Sequence, residues 1–112
     1  MPTREEEIAW AAGLFEGEGC VTEADGRLSL RLNKTDEEII ARFDEIVRFG
    51  RVYGPYQNSQ YDGHKRKPFW VWMAYGTDAY DAINLLAPWL STRRLVRAYE
   101  ITGLRFPVKT PI

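Results

Sequence analysis

Two glutamates one residue apart, Glu16 and Glu18, sit among glycines at Gly13, Gly17 and Gly19. Carboxylate oxygens are the hard donors that Mg²⁺ or Mn²⁺ selects, and glycines beside them let backbone come close to a metal or a phosphate. The preceding residues predict a helix over about 4–17. Thr3 with Glu6 forms a capping box, Glu5 to Glu7 suit the positive end of the dipole, and Ile8, Ala11, Ala12 and Phe15 recur at helical spacing. Glu16 and Glu18 therefore fall at the helix C-terminus, where the dipole already places about half a negative charge. That is unfavourable in isolation, and a divalent cation would relieve it. Ala9, Gly13 and Gly17 follow at i, i+4 and i+8, with Ala12 and Glu16 alongside, a stripe small enough for a second helix to pack closely. Two copies packed through it would bring two acidic ends together around shared metal. The plainer alternative is a solvated helix end followed by a turn.

The elements that must hold this helix are readable from periodicity. Cys20 to Ala24 and Arg27 to Asn33 alternate apolar with polar residues around Asp25-Gly26, the strongest short-range hairpin signal. Thr35 to Glu38 caps a second helix carrying Ile39, Ile40, Phe43, Ile46 and Val47, which ends near Phe49-Gly50. Arg51 to Tyr56 and Phe69 to Tyr75 read as strands joined by a polar linker, 57–68. Thr77-Asp78 caps a third helix closed by Pro88-Trp89, and Ser91 caps a last one from Thr92 to about Leu104. The order helix, hairpin, helix, hairpin, helix, helix predicts an α+β domain, one four-stranded antiparallel sheet with helices on a single face. It covers residues 1–106, and 107–112 reads as a loose tail.

Composition narrows the function classes. The 112 residues suit one domain, and four tryptophans supply core volume. No run approaches the roughly 18 apolar residues of a membrane span, and the acidic start, Glu5 to Glu7, is unlike an export signal. One cysteine excludes an internal disulfide and argues for a reducing, intracellular (cytoplasmic) compartment; with a single histidine besides, structural zinc is disfavoured. Net charge is −1, but residues 1–25 hold seven acids against Arg4, whereas 26–75 hold nine basic residues against six acidic. An acidic front and a basic remainder can present one positive face, or amount to ordinary surface charge.

A β-ribbon fits the DNA major groove. In the second strand Leu28, Leu30 and Leu32 must face the core, leaving Arg27, Ser29, Arg31 and Asn33 outward. Cys20 and Thr22, then Arg51 and Tyr53, extend that face. Gln57, Lys65, Arg66 and Lys67 in the linker suit phosphates. In the fourth strand Trp70 and Trp72 share a face and go to the core, which turns Phe69, Val71, Met73 and Tyr75 outward as candidate contacts to base edges and thymine methyls. An outer face that merely meets water is the alternative.

Residues 11–19, Ala-Ala-Gly-Leu-Phe-Glu-Gly-Glu-Gly, resemble the LAGLIDADG motif of homing endonucleases. Ala12, Gly13, Leu14 and Gly19 match, and both aspartates are replaced by glutamate. The family's αββαββα unit with its C-terminal helix is also the element order above. The resemblance implies the LAGLIDADG homing-endonuclease fold and an intron- or intein-type nuclease that cuts double-stranded DNA with Mg²⁺ (or Mn²⁺) and no small-molecule cofactor. A single motif in one chain implies a homodimer on a long pseudo-palindromic target, paired through Ala9, Ala12, Gly13 and Glu16. It assigns the metal to Glu18 with the Gly17 backbone and leaves Glu16 a secondary acid. A basic helper near the start of the last helix falls on Arg93, and a water-ordering residue after the second strand falls on Asn33 or Lys34. Arginine stays protonated, so Arg93 can stabilise charge but not act as a base; Arg93 and Arg94 also read as plain surface arginines. Two further readings stay open: a DNA-binding regulator or RNA-splicing maturase of the same fold that no longer cleaves, and a dimerising α+β domain unconnected with nucleic acid.

Overall fold

The structure is a computed structural model that describes residues 1–57 and 67–104. Helix α1 (Arg4–Glu18) leads into the hairpin β1 (Gly19–Ala24) and β2 (Arg27–Lys34), followed by α2 (Glu37–Val47). Strands β3 (Arg51–Tyr56) and β4 (Phe69–Tyr75) precede α3 (Thr77–Leu86), a 3₁₀ turn (Ala87–Trp89) and α4 (Thr92–Thr102). The strands form one antiparallel sheet in the order β1-β2-β4-β3, the α+β architecture expected from the element order.

The local signals act as their chemistry requires. Thr3 and Glu6 exchange both bonds of the capping box. Asp36 accepts the Ile39 N–H at 3.2 Å and starts α2. At the first hairpin Asp25 and Gly26 both take positive φ, 51° and 77°, the backbone that a two-residue turn needs to match strand twist.

Two caps differ from expectation. Helix α3 starts after Gly76, with Thr77 already helical and no side-chain cap; the Gly76 N–H instead bonds to the Leu28 carbonyl at 2.8 Å, tying the helix start to β2. Ser91 precedes α4 but caps nothing with its own side chain; its backbone N–H donates to the Glu16 carboxylate of α1 at 2.7 Å.

The core lies between the sheet and all four helices. Leu28, Leu30, Leu32, Trp72 and Ala74 from the sheet meet Ala11, Ala12 and Phe15 of α1, Ile40 and Phe43 of α2, Ile83 of α3 and Ala98 of α4. Trp72 is at its centre, fully buried, edge-on to Phe43 at 4.8 Å and to Phe15 at 6.3 Å. A buried indole N–H needs an acceptor, and the Phe49 carbonyl provides one at 3.1 Å. Phe15 thereby anchors the last turn of α1 in the aromatic cluster and fixes where that helix ends.

Gly19 is where the chain leaves helix for strand. A side chain there would meet the Phe15 ring, so only glycine permits β1 to start this close to the core. The motif's last glycine is thus a packing requirement at the helix–strand junction.

Candidate active site and sheet face

Residues 16 and 18 are two apart, about 200° around a helix, and their surroundings differ accordingly. Glu16 turns toward α4. Its Oε1 accepts the Ser91 backbone N–H at 2.7 Å, and its Oε2 pairs with the Arg94 Nε at 3.3 Å. The other arms of Arg94 donate to the Glu16 carbonyl at 2.8 Å and the Gly19 carbonyl at 2.9 Å, with the Phe15 ring beneath the guanidinium. Desolvation pushes the Glu16 carboxyl up, but hydrogen bonding from Ser91 and the charge of Arg94 outweigh it and hold the group below the ordinary glutamate range.

Glu18 is at the exposed side of the helix end, with 46% of its side chain accessible. Its Oε2 meets the Lys34 Nζ at 2.8 Å. Lys34 is the last residue of β2 and shares the parity of Leu28, Leu30 and Leu32, so its side chain is carried to the helix side of the sheet. Of the Asn33/Lys34 alternatives, Lys34 is the one beside the acid. Asn33 has the opposite parity and accepts from the Arg31 Nε at 3.3 Å on the outer face.

The arginine that reaches the motif is Arg94, not Arg93. Arg93 is exposed and shares an open groove with Val21, Arg94 and Arg97. The signal was available: Leu95 and Ala98 are the buried positions of α4, and Arg94 lies one turn before Ala98, on their side of the helix.

The small-residue stripe is also rearranged. Ala12 is fully buried in its own chain's core, and Glu16 is committed to α4, so neither presents a free surface for pairing. The open face of α1 carries Gly13 and Gly17, where a Cβ would have nothing within 4 Å, flanked by half-buried Ala9, Trp10 and Leu14. Apolar residues therefore continue around α1 beyond the face that its own core uses.

No family model and no curated protein sequence matches the chain. Solved structures do. One is the homing endonuclease I-CvuI in complex with its target (Sro1.3) with 2 mM Ca, at TM-score 0.62 and 21% identity. Another is I-CvuI in complex with an I-CreI target (C1221) with 2 mM Mg and the DNA not cleaved, at TM-score 0.62 and 20% identity. Each match covers 89% of this chain and 66% of that one, so the chain spans just under two thirds of their length. The fold is that of the LAGLIDADG homing endonucleases.

The outer face of this LAGLIDADG sheet is ordered in rows set by the register. Thr22, Ser29 and Tyr75 align across β1, β2 and β4; Cys20, Arg31, Met73 and Arg51 align across all four strands. Arg27 is exposed at the hairpin end and lies over the Tyr75 ring, 5.5 Å from its centre. Met73, Tyr75 and Tyr53 are exposed at 37%, 43% and 44%. Val71 is the exception. It has the outward parity but is only 1% exposed, because it is central in the sheet between the longer side chains of Asn33 and Tyr53, so it offers no surface for a base contact. Gln57 and Lys67 are exposed at the ends of the linker; Lys65, Arg66 and the tail 107–112 lie outside the described residues. No helix among the described residues is long and apolar enough to cross a membrane.

Proposed function

We propose that this chain is a metal-dependent, site-specific endonuclease that cuts both strands of a long pseudo-palindromic DNA target as a homodimer. The observation that carries the reading is the pairing, on one helix, of an open Gly13/Gly17 face with an exposed Glu18 at its end. Two-fold packing through that face juxtaposes two Glu18 carboxylates. The two outer sheet faces then lie on either side of the dimer axis, suited to two half-sites of DNA.

The donor chemistry fits Mg²⁺ or Mn²⁺. Glu18 offers an accessible hard oxygen next to the Gly17 carbonyl, and among the described residues no group of three carboxylate, imidazole or thiol donors gathers within one chain. Glu18 and the Gly17 carbonyl of each copy would together hold the ion. When bound, such an ion supplies charge neutralisation and an activated water at the phosphodiester. The chain's own residues do the rest. Lys34 holds a positive charge against Glu18 and stands ready for a phosphate oxygen, Arg93 adds fixed charge from the start of α4, and the outer rows hold the duplex.

The Lys34–Glu18 ion pair also supports a second reading, a DNA-binding regulator or RNA-splicing maturase without cleavage, since it balances the acid with no metal. Cleavage-site selection from a DNA library with Mg²⁺ separates the two. The endonuclease reading expects double-strand breaks at a two-fold target, and Glu18→Gln should abolish them while binding persists. Selection of bound but uncut DNA by the unaltered protein would favour the binding module.

A further inference from the structure

We propose that Arg94 is the positioning residue of the metal site, holding Gly17 and Glu18 in place from beneath; this rests on the endonuclease reading. Its guanidinium does not contact Glu18. It grips the backbone on both sides of it, at the Glu16 carbonyl (2.8 Å) and the Gly19 carbonyl (2.9 Å), so the two residues assigned to the metal are the two between its grips. The third contact, to the Glu16 carboxylate at 3.3 Å, and the Ser91 N–H on the same carboxylate at 2.7 Å fix the start of α4 to the end of α1.

The segment needs such a hold. The last carbonyls of a helix lack intrahelical partners, and glycines at 13, 17 and 19 leave the backbone little side-chain restraint. Two glutamates and the negative dipole end concentrate like charge there. Arg94 is the countercharge on the inner side, only 13% exposed, and it leaves the outer side of Glu18 open. Its planar fork can span two carbonyls and a carboxylate at once, whereas an ammonium is a point charge on a flexible stem. Arg94→Lys therefore keeps the charge and loses the span. Arg94 is in α4, away from the outer rows of the sheet, so DNA binding and metal binding should separate.

The experiment uses the full chain with Mn²⁺ alone, bound ion being counted from the electron paramagnetic resonance signal of the free ion, alongside amide hydrogen exchange across residues 17–20. Arg94→Lys should weaken Mn²⁺ binding by about 10- to 100-fold, the range typical of outer-shell partners. It should also speed exchange at 17–20, with unchanged affinity for a duplex DNA pool in Ca²⁺. Arg97→Lys, at an exposed position of the same helix, should do none of this. Arg94→Gln is the second variant, should lysine fail to fold. Mn²⁺ binding equal to the unaltered chain in a folded Arg94 variant overturns the positioning role alone. Failure of the unaltered chain to bind Mn²⁺ overturns the endonuclease reading and this role with it.

Discussion

Replacing Gly13 with alanine should stabilise the single chain and weaken its pairing with a second copy, two effects of opposite sign from one methyl group. Gly13 is well inside α1, at ordinary helical backbone, and a Cβ there would meet nothing within 4 Å. In an isolated chain the exchange thus brings only the helix-propensity gain, about 1 kcal/mol. In a two-fold dimer packed through this face the methyl enters twice, once from each helix. At about 1–3 kcal/mol for each overpacked site, the pairing loses roughly 2–6 kcal/mol, about 30-fold to more than 10⁴-fold in dissociation constant. Sedimentation measured over a concentration series reads the second quantity. Urea unfolding at low protein concentration, where the chain is monomeric, reads the first, since dimerisation otherwise adds to apparent stability. Gly13→Leu should push the same balance to full dissociation. An alanine variant that gains stability yet dimerises as tightly as the parent would remove the glycine face from the interface, and the two-fold argument for convergent Glu18 residues with it.

Gly19→Ala should cost the chain about 1–3 kcal/mol by overpacking, because its methyl would meet the Phe15 ring, which Phe43 and Trp72 hold in place; an unchanged unfolding midpoint would mean that the ring can move aside. Arg31→Ala should relax base preference at one position of each half-site by about 1–3 kcal/mol in a binding selection, whereas a uniform loss across sequences would place Arg31 on phosphate. Glu16 titrates below its ordinary 4.5 in the folded chain, so its contribution to stability is present above that value and is lost as pH falls through the folded one. Glu16→Gln should lower stability at pH 7 and flatten the acid limb of the stability–pH curve, and a curve parallel to the parent's would contradict the assignment.

What could be read from the chain in advance was whatever a short window of residues decides. The Thr3/Glu6 box, the Asp25-Gly26 turn and the parity of Leu28, Leu30 and Leu32 each depend on backbone geometry within a few residues, and each is present. Extending the leucine parity by one step would also have put Lys34, not Asn33, on the acid's side. The contacts that joined distant segments were less accessible. The start of α4 is fixed by a carboxylate 75 residues earlier, and no local rule sends the Glu16 side chain to Ser91. Spacing puts Ala12 on the pairing stripe, but α1 is apolar on more than one side, and the chain's own core takes Ala12. Val71 follows strand parity correctly and is still covered, because parity gives direction and neighbours determine exposure.

Glutamate at 16 and 18, where the motif that residues 11–19 resemble has aspartate, gains a physical meaning from this geometry. The added methylene gives Glu16 the reach to meet both the Ser91 N–H and Arg94 across the gap to α4, and gives Glu18 the reach to meet Lys34 at the end of β2. Equal in charge and two residues apart, they are separated by the turn of the helix into an inner acid neutralised by structure and an outer acid left accessible. In the proposed two-fold packing, the inner pair places the helix end so that the outer acid faces a second copy of itself. On that division Glu16→Asp should loosen the α1–α4 junction while leaving the donor at 18 intact, and Glu18→Asp should leave the junction intact while withdrawing the donor. Mn²⁺ affinity and unfolding midpoint, measured on both variants, should therefore move in crossed patterns: midpoint first for position 16, affinity alone for position 18. A shared pattern would mean that the two acids act as one cluster, and that the inward turn of Glu16 is not what sets Glu18 apart.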